Sequence, residues 1–381
     1  MLIFGINFLT AFCSIVLSLN LMANSLSFKQ KSSQNSFVPI SHFSLNHTLD
    51  QKKLLAEADY AGWAQYKNSL IGEYSKEWLV ALDRKTMQAK WWLANHKGLT
   101  VPPYIEGPYV YFAFGDGKFS KVNIKTGVQI WVTHLDSFVD RPIVYKNSHL
   151  FLQTAAQNLY RIDDQGHVKW VFDIGSARNT IVRSMVAPLI SENKIFVSDS
   201  QGSIICLNNN TGREFWRYNP DNITPSFNQV MGEMRLFDNL LIISRYDGWF
   251  GAIDISDSLR IKTEWNLEKL TASISFSTYS NGLYYLSASD GYLYAVDIHK
   301  KIIRWKSLLS SPASFISSGE KRIFISTTDG SIMMISSQTG EILSNYNLRE
   351  KILVSPVKFK EKNQDYLLYP SASKTFYLFK V

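Results

Sequence analysis

One short unit returns along this chain and limits its fold more than any other feature. Its plainest copy is Asp290-Gly-Tyr-Leu-Tyr-Ala-Val-Asp297, followed eight residues later by Trp305. A tight Asp-Gly turn, an alternating apolar strand, a second polar turn and a closing Trp are the parts of a hairpin-built repeat. The first of these turns recurs at Glu77, Gly117, Gln157, Gly202, Gly248, Gly291, Gly330 and Lys374. The spacing of about 39 to 46 residues is that of propeller blades. Asp precedes Gly at Asp116, Asp247, Asp290 and Asp329, and such a pair suits a two-residue hairpin with positive φ.

Each unit carries three turn signals and therefore four strands. In the unit ending at Trp216 they are Glu192-Asn193, Gln201-Gly202 and Asn208-Asn-Asn-Thr-Gly212. The intervening runs, such as Lys194-Ile-Phe-Val-Ser198, are strand-sized and rich in β-branched and aromatic residues. The last turn leads to Trp91, Trp131, Trp170, Trp216, Trp265 and Trp305, and in the seventh unit to Ser344. A flat indole at this register fills the wedge between neighbouring sheets, while Asp83, Asp163, Asp254 and Asp297 accept bonds from turn backbone. Both are scaffold roles.

The eighth unit ends one strand short at Thr375-Phe-Tyr-Leu-Phe379, and an orphan strand, Phe37-Val-Pro-Ile-Ser-His-Phe-Ser-Leu45, precedes the first. Pairing the two leaves no exposed seam. The expectation is an all-β, eight-bladed propeller of four-stranded antiparallel blades, spanning 37–381, with 37–49 closing the last blade.

Residues 1–25 carry no charged side chain, have an apolar stretch from Phe8 to Leu21 and end in Ala23-Asn24-Ser25. They read as an export signal, although the usual Lys or Arg is missing, and an uncleaved anchor is the second reading. Residues 26–36 read as a linker. Cys13 lies in that segment, where Phe12 occupies the small-residue position of a lipid-attachment motif; Cys206 lies in an apolar strand and reads as core packing. Loss of the segment would leave no cysteine pair for a disulfide. The formal net charge of +8 is dispersed, with no run of five basic residues and no nucleic-acid-binding signature. Anionic lipid is the remaining target such a charge suggests.

Asp-Gly turns and Ala-x-Asp…Trp units at this period resemble the pyrroloquinoline-quinone-type β-propeller repeats. Size, an export signal and an N-terminal closing strand resemble its branch of BamB-type outer-membrane-protein assembly factors rather than the large quinoprotein dehydrogenases. Thr180-Ile-Val-Arg-Ser-Met-Val-Ala-Pro188 is similar to the loop with which that branch contacts the barrel-forming partner. The resemblance implies contacts by Val182 and Arg183, with Thr180 where a second apolar residue is expected. It also implies a non-enzymatic periplasmic scaffold at the inner face of the outer membrane, with unfolded outer-membrane proteins as further partners. In the next interblade loop the family's Asp-x-Asp pair is replaced by Gln229 and Met231.

The catalytic patterns searched for are missing. There is no His-Glu-x-x-His, Gly-x-Ser-x-Gly, phosphate loop or CxxC, and the seven histidines are scattered. The vicinal cysteines and long insertions of quinone-dependent dehydrogenases are also missing. The expectation is no catalytic residue, no metal site and no cofactor. A quinone-dependent dehydrogenase and an envelope propeller with another protein partner are the alternatives.

Overall fold

The computed structural model describes residues 37–44, 62–175 except 76 and 95–96, 186–219, and 228–381 except 268, 269, 271, 320, 353, 372 and 374. The segment proposed as an export signal, Cys13 and Lys374 lie outside the described residues. Residues 37–381 form one compact unit.

Among the described residues, thirty-two strands make eight four-stranded antiparallel sheets, and no helix is present. Seven blades are sequential meanders: 63–94, 104–134, 144–173, 189–218, 235–266, 274–308 and 313–347. Strands are lettered A to D from the first to the last of each meander. Blade 8 takes A, B and C from Val357–Glu361, Gln364–Pro370 and Thr375–Lys380, and its D strand is Ser41–Ser44. The register Ser41↔Leu378 to Ser44↔Thr375 joins the two ends of the propeller. The repeat count thus places the closing strand correctly, at 41–44 within the expected 37–49, of which 45–49 lie outside the described residues.

Burial follows from the alternation of the strands. B and C strands are buried on both faces, as in Ser69–Ser75, whereas D strands show a mixed exposed pattern, as in Val168–Asp173. A sheet sandwiched between two others must be apolar on both sides, and its edge strands meet water, as the half-buried A strand Tyr104–Glu106 also shows. The buried side chains separate into eight clusters, each spanning one pair of neighbouring blades. The ring-closing cluster joins Leu70, Tyr74, Val80 and Leu82 of blade 1 to Val357, Phe359, Leu368 and Phe376 of blade 8.

The Asp-Gly turns differ from the two-residue hairpins expected. Phe114 N–H donates to Lys118 O and Gly117 N–H to Phe114 O, so three residues make the loop and only its last, Gly117, has positive φ, at 82°. This is a type I turn closed by one left-handed residue. The preceding Asp caps the turn from its side chain. Asp116 Oδ1 accepts from Lys118 N–H at 3.2 Å, and Asp247, Asp290 and Asp329 repeat the bond. Leu135 N–H, leaving the same blade, donates to Gly117 O at 2.9 Å.

Candidate functional site

The residues that repeat are consumed by the scaffold. Trp91, Trp131, Trp170 and Trp305 each donate Nε1–H across a blade boundary, to Ile124 O, Asp164 O, Asn209 O and Ser337 O at 2.7 to 3.1 Å. The acceptor lies in the C–D turn of the following blade. A glycine of that turn lies under each indole face: a Cβ on Gly212 would stand 2.7 Å from a ring carbon of Trp170. The C–D aspartates are turn caps, as expected. Asp297 Oδ1 accepts from His299 and Lys300 N–H, and the Lys300 bond leads in holding its carboxyl below the usual range. Cys206 is fully buried against Trp216, and burial pushes its thiol up to about 12, which makes it packing rather than a nucleophile.

A site must therefore be sought among residues that do not repeat. Thr180, Val182 and Arg183 lie outside the described residues, in the connection from blade 3 to blade 4. Both flanks of that connection are fixed. Ile174 is buried, and its carbonyl accepts from Arg217 Nη1 of blade 4 at 2.9 Å. Arg217 also pairs with Glu214 at 3.1 Å and Asp199 at 3.6 Å. At the other flank Val186 is buried with Phe196, Val230 and Met234. Interblade connections and B–C turns emerge on the same face of a four-stranded meander, because its strands alternate in direction. The connections 3–4 and 4–5 accordingly stand on either side of the blade 4 B–C turn. Contact is close there: a Cβ on Gly202 would meet Asn228 O at 2.0 Å.

Gln229 and Met231, at the expected acidic positions, are 4% and 7% exposed and so present little surface. Tyr246 N–H donates to Gln229 O, Met231 N–H to Ser244 O, and Ser277 Oγ to Met231 O at 3.1 Å. Two residues on, Glu233 is saturated. Its Oε1 accepts from Arg235 Nε and Nη2 at 3.0 and 2.5 Å, and its Oε2 from Thr278 Oγ1 and Tyr279 N–H at 3.0 and 3.1 Å. Arg235 also lies 4.7 Å from the Tyr279 ring centroid. Sequence reasoning missed this cluster, as it missed the buried Arg245 held by Asp247 at 2.5 Å and facing Trp249. The Arg-x-Asp-x-Trp spacing inside a turn was the available signal. Together they brace the 4–5 connection against blades 5 and 6.

Among the described residues no group of three or more His, Cys, Asp or Glu is arranged to hold a metal ion. No described helix is long and apolar enough to cross a membrane.

Three comparisons bear on this architecture. The chain is 22% identical over 283 residues to the outer membrane protein assembly factor BamB of Yersinia pestis, covering 68% of this chain and 69% of that one. Its fold is similar to the crystal structure of BamB from Moraxella catarrhalis, with a TM-score of 0.72 at 18% identity over 91% of this chain and all of that one. It also resembles, with a TM-score of 0.65 at 14% identity, the quinohemoprotein alcohol dehydrogenase of Comamonas testosteroni, covering 87% of this chain and 78% of that one. The model of one family matches residues 75–307, more than half of the chain, and by it this propeller belongs to the family described as outer membrane protein assembly factor BamB.

Proposed function

We propose that the protein is a non-enzymatic periplasmic scaffold of outer-membrane β-barrel assembly, holding the barrel-forming subunit through its 3–4 and 4–5 interblade connections. One observation carries the reading: the repeated Trp, Asp and Gly residues are spent on blade docking, and the polar residues that do not repeat brace the connections of one face. Rigid flanks cut the ordering cost when a loop binds, which is how a scaffold gains affinity without chemistry. Within the 3–4 connection Val182 and Arg183 supply an apolar contact and an adjacent cation, a pairing common among interface anchors. Thr180 stands beside them. Because Gln229 and Met231 are neutral and buried, those two positions offer the partner no acidic pair, and the charge of the 3–4 connection is carried by Arg178 and Arg183.

The test is affinity purification from envelope extracts of the native organism, followed by mass spectrometry, with Arg183→Glu alongside. Recovery of the barrel-forming subunit by the parent protein and its loss with Arg183→Glu is the expected result. Failure to recover that subunit, or recovery indifferent to the substitution, would sink the reading. Reconstitution with the quinone and calcium, scored by dye reduction with alcohols or sugars, should give no turnover; steady turnover would move the protein to the dehydrogenase branch.

A further inference from the structure

Interblade connections and B–C turns share one face of the ring, so the A–B and C–D turns form the other. Cations are unevenly placed on that second face. In blades 2 and 3 they are matched, Lys121 by Asp164 at 2.6 Å and Lys169 by Asp163 at 3.5 Å. In the arc from blade 6 through blades 7 and 8 to blade 1 they are in excess. Lys67, Lys321, Arg322, Lys360 and Lys362 stand at or beside its A–B turns, all exposed, and none is in an ion pair among the described residues. Lys300 and Lys301 join them from the C–D turn of blade 6, and Lys380 from the end of the blade 8 C strand. Three acids of the arc are already engaged. Glu361 pairs with Arg84 and Lys85, Asp83 with Lys90 at 3.2 Å, and Asp297 caps its own turn and lies 3.8 Å from Arg304. Glu341 and Asp365 are left, and Glu320 lies outside the described residues.

The arc is continuous across its blades. Asn281 of blade 6 donates to Gly319 O of blade 7 at 2.6 Å, Lys358 of blade 8 to Ser318 O of blade 7 at 3.0 Å, and Arg84 of blade 1 to Glu361 of blade 8. Aliphatic side chains emerge among the cations. Ile302 and Ile303 follow Lys300-Lys301 at the start of the blade 6 D strand. Val38 and Ile40 precede the closing strand at the same face, where Ile40 N–H donates to Leu378 O at 2.8 Å. These four are 41 to 55% exposed. Such side chains gain nothing from a soluble acidic chain. At a bilayer they enter the boundary of the acyl region while Lys and Arg reach the headgroup phosphates. Cations spread over four blades also match an extended sheet of negative charge. The polypeptide preceding Phe37 joins the propeller on this face, and its residues 1–25 carry no charged side chain.

We propose that the A–B and C–D turn face of blades 6, 7, 8 and 1 is a docking surface for an anionic phospholipid bilayer. The lysines and Arg322 meet the headgroups, and Ile40 and Ile302 enter the boundary beneath them. The surface lies opposite the 3–4 and 4–5 connections, so a membrane and a protein partner can be held at once. It stands whether or not Arg183 contacts a barrel-forming subunit.

The experiment sediments the whole protein with vesicles of phosphatidylcholine alone, and of phosphatidylcholine with phosphatidylglycerol, across a salt series. Binding to the anionic vesicles should be at least about tenfold tighter than to the neutral ones and should weaken as salt rises. Lys321→Gln, Arg322→Gln and Lys362→Gln together should lower that affinity at least about tenfold. Lys97→Gln, Arg349→Gln and Lys351→Gln remove the same charge from the opposite face and should leave it within about twofold. If the first triple variant does not fold, Lys67→Gln with Lys360→Gln serves in its place. Ile40→Ser with Ile302→Ser should weaken the binding that persists at high salt. Absence of a preference for anionic vesicles overturns the proposal, as does an equal loss from the two triple variants. Soluble polyglutamate or an oligonucleotide bound as tightly as the vesicles, and indifferent to the two serine substitutions, would overturn the bilayer assignment.

Discussion

A tryptophan and a glycine that are far apart in sequence act as one part. Trp170 donates to Asn209 O and lies on Gly212, whose φ of 69° and lack of a Cβ both serve the contact. Trp170 is half-buried, so Trp170→Ala should cost less in a denaturant titration than the about 3 to 5 kcal/mol usual for a fully buried large aromatic. Gly212→Ala should cost roughly 1 to 2 kcal/mol for the left-handed backbone and a further ~1 to 3 kcal/mol for the clash with the indole. Gly107→Ala supplies the control, because its φ is 56° and nothing lies within 4 Å of a Cβ there, so only the backbone cost is expected. Equal losses at Gly107 and Gly212 would show that the indole contact adds nothing. The Trp register was legible because it repeats. Ser41 was not, since its equivalence to Trp170 appears only when the closing strand is paired with Leu378.

At the level of elements, turn spacing was enough to give four strands per blade and to require a donated strand. Turn type was less legible, because Asp-Gly serves both two- and three-residue loops and backbone hydrogen bonds decide between them. The bracing of the 4–5 connection by Glu233, Arg235 and Thr278 joins two blades and has no local pattern. The closing strand is the element most open to test. Among the described residues it pairs over four, and Phe37 anchors its approach by packing on Phe324 and Phe379 at 5.5 and 4.7 Å. Phe37→Ala should therefore remove about 3 to 5 kcal/mol from the seam. Hydrogen exchange should report this first at the amides of Thr375–Lys380, with blades 3 to 5 unchanged near neutral pH. Uniform acceleration across the ring would mean that the seam opens only with global unfolding.

In the whole molecule, eight similar wedges close a ring that has one non-covalent seam, and charge bears on the seam and on the turns differently. Several turn aspartates share one electrostatic condition. Burial alone would raise the Asp83 and Asp163 carboxyls, but bonds from Lys85 and Thr86 N–H, and from His167 and Gln165 N–H, override it and hold both below the ordinary value of 3.8. At Asp254 the Ser256 backbone bond leads and the direction is the same. Across the seam, the Arg84 guanidinium holds Glu361 below its ordinary 4.5. A carboxyl whose folded pKa is depressed contributes stability that is complete above its unfolded pKa and is lost as pH falls through the folded one. Acid should thus destabilise the turns of several blades together from about pH 4 downward, and the seam should begin to lose its ion pair in the same window. Glu361→Gln separates the two. At pH 7 it should lower the thermal midpoint slightly, because Glu361 is partly exposed and solvent screens the pair. Between pH 5 and pH 3 it should flatten only the part of the decline that belongs to blades 1 and 8. Thermal melts across that range, with hydrogen exchange at Thr375–Lys380, measure both contributions. A variant whose decline with pH matches the parent at every site would leave the Arg84 to Glu361 pair without a part in holding the ring shut.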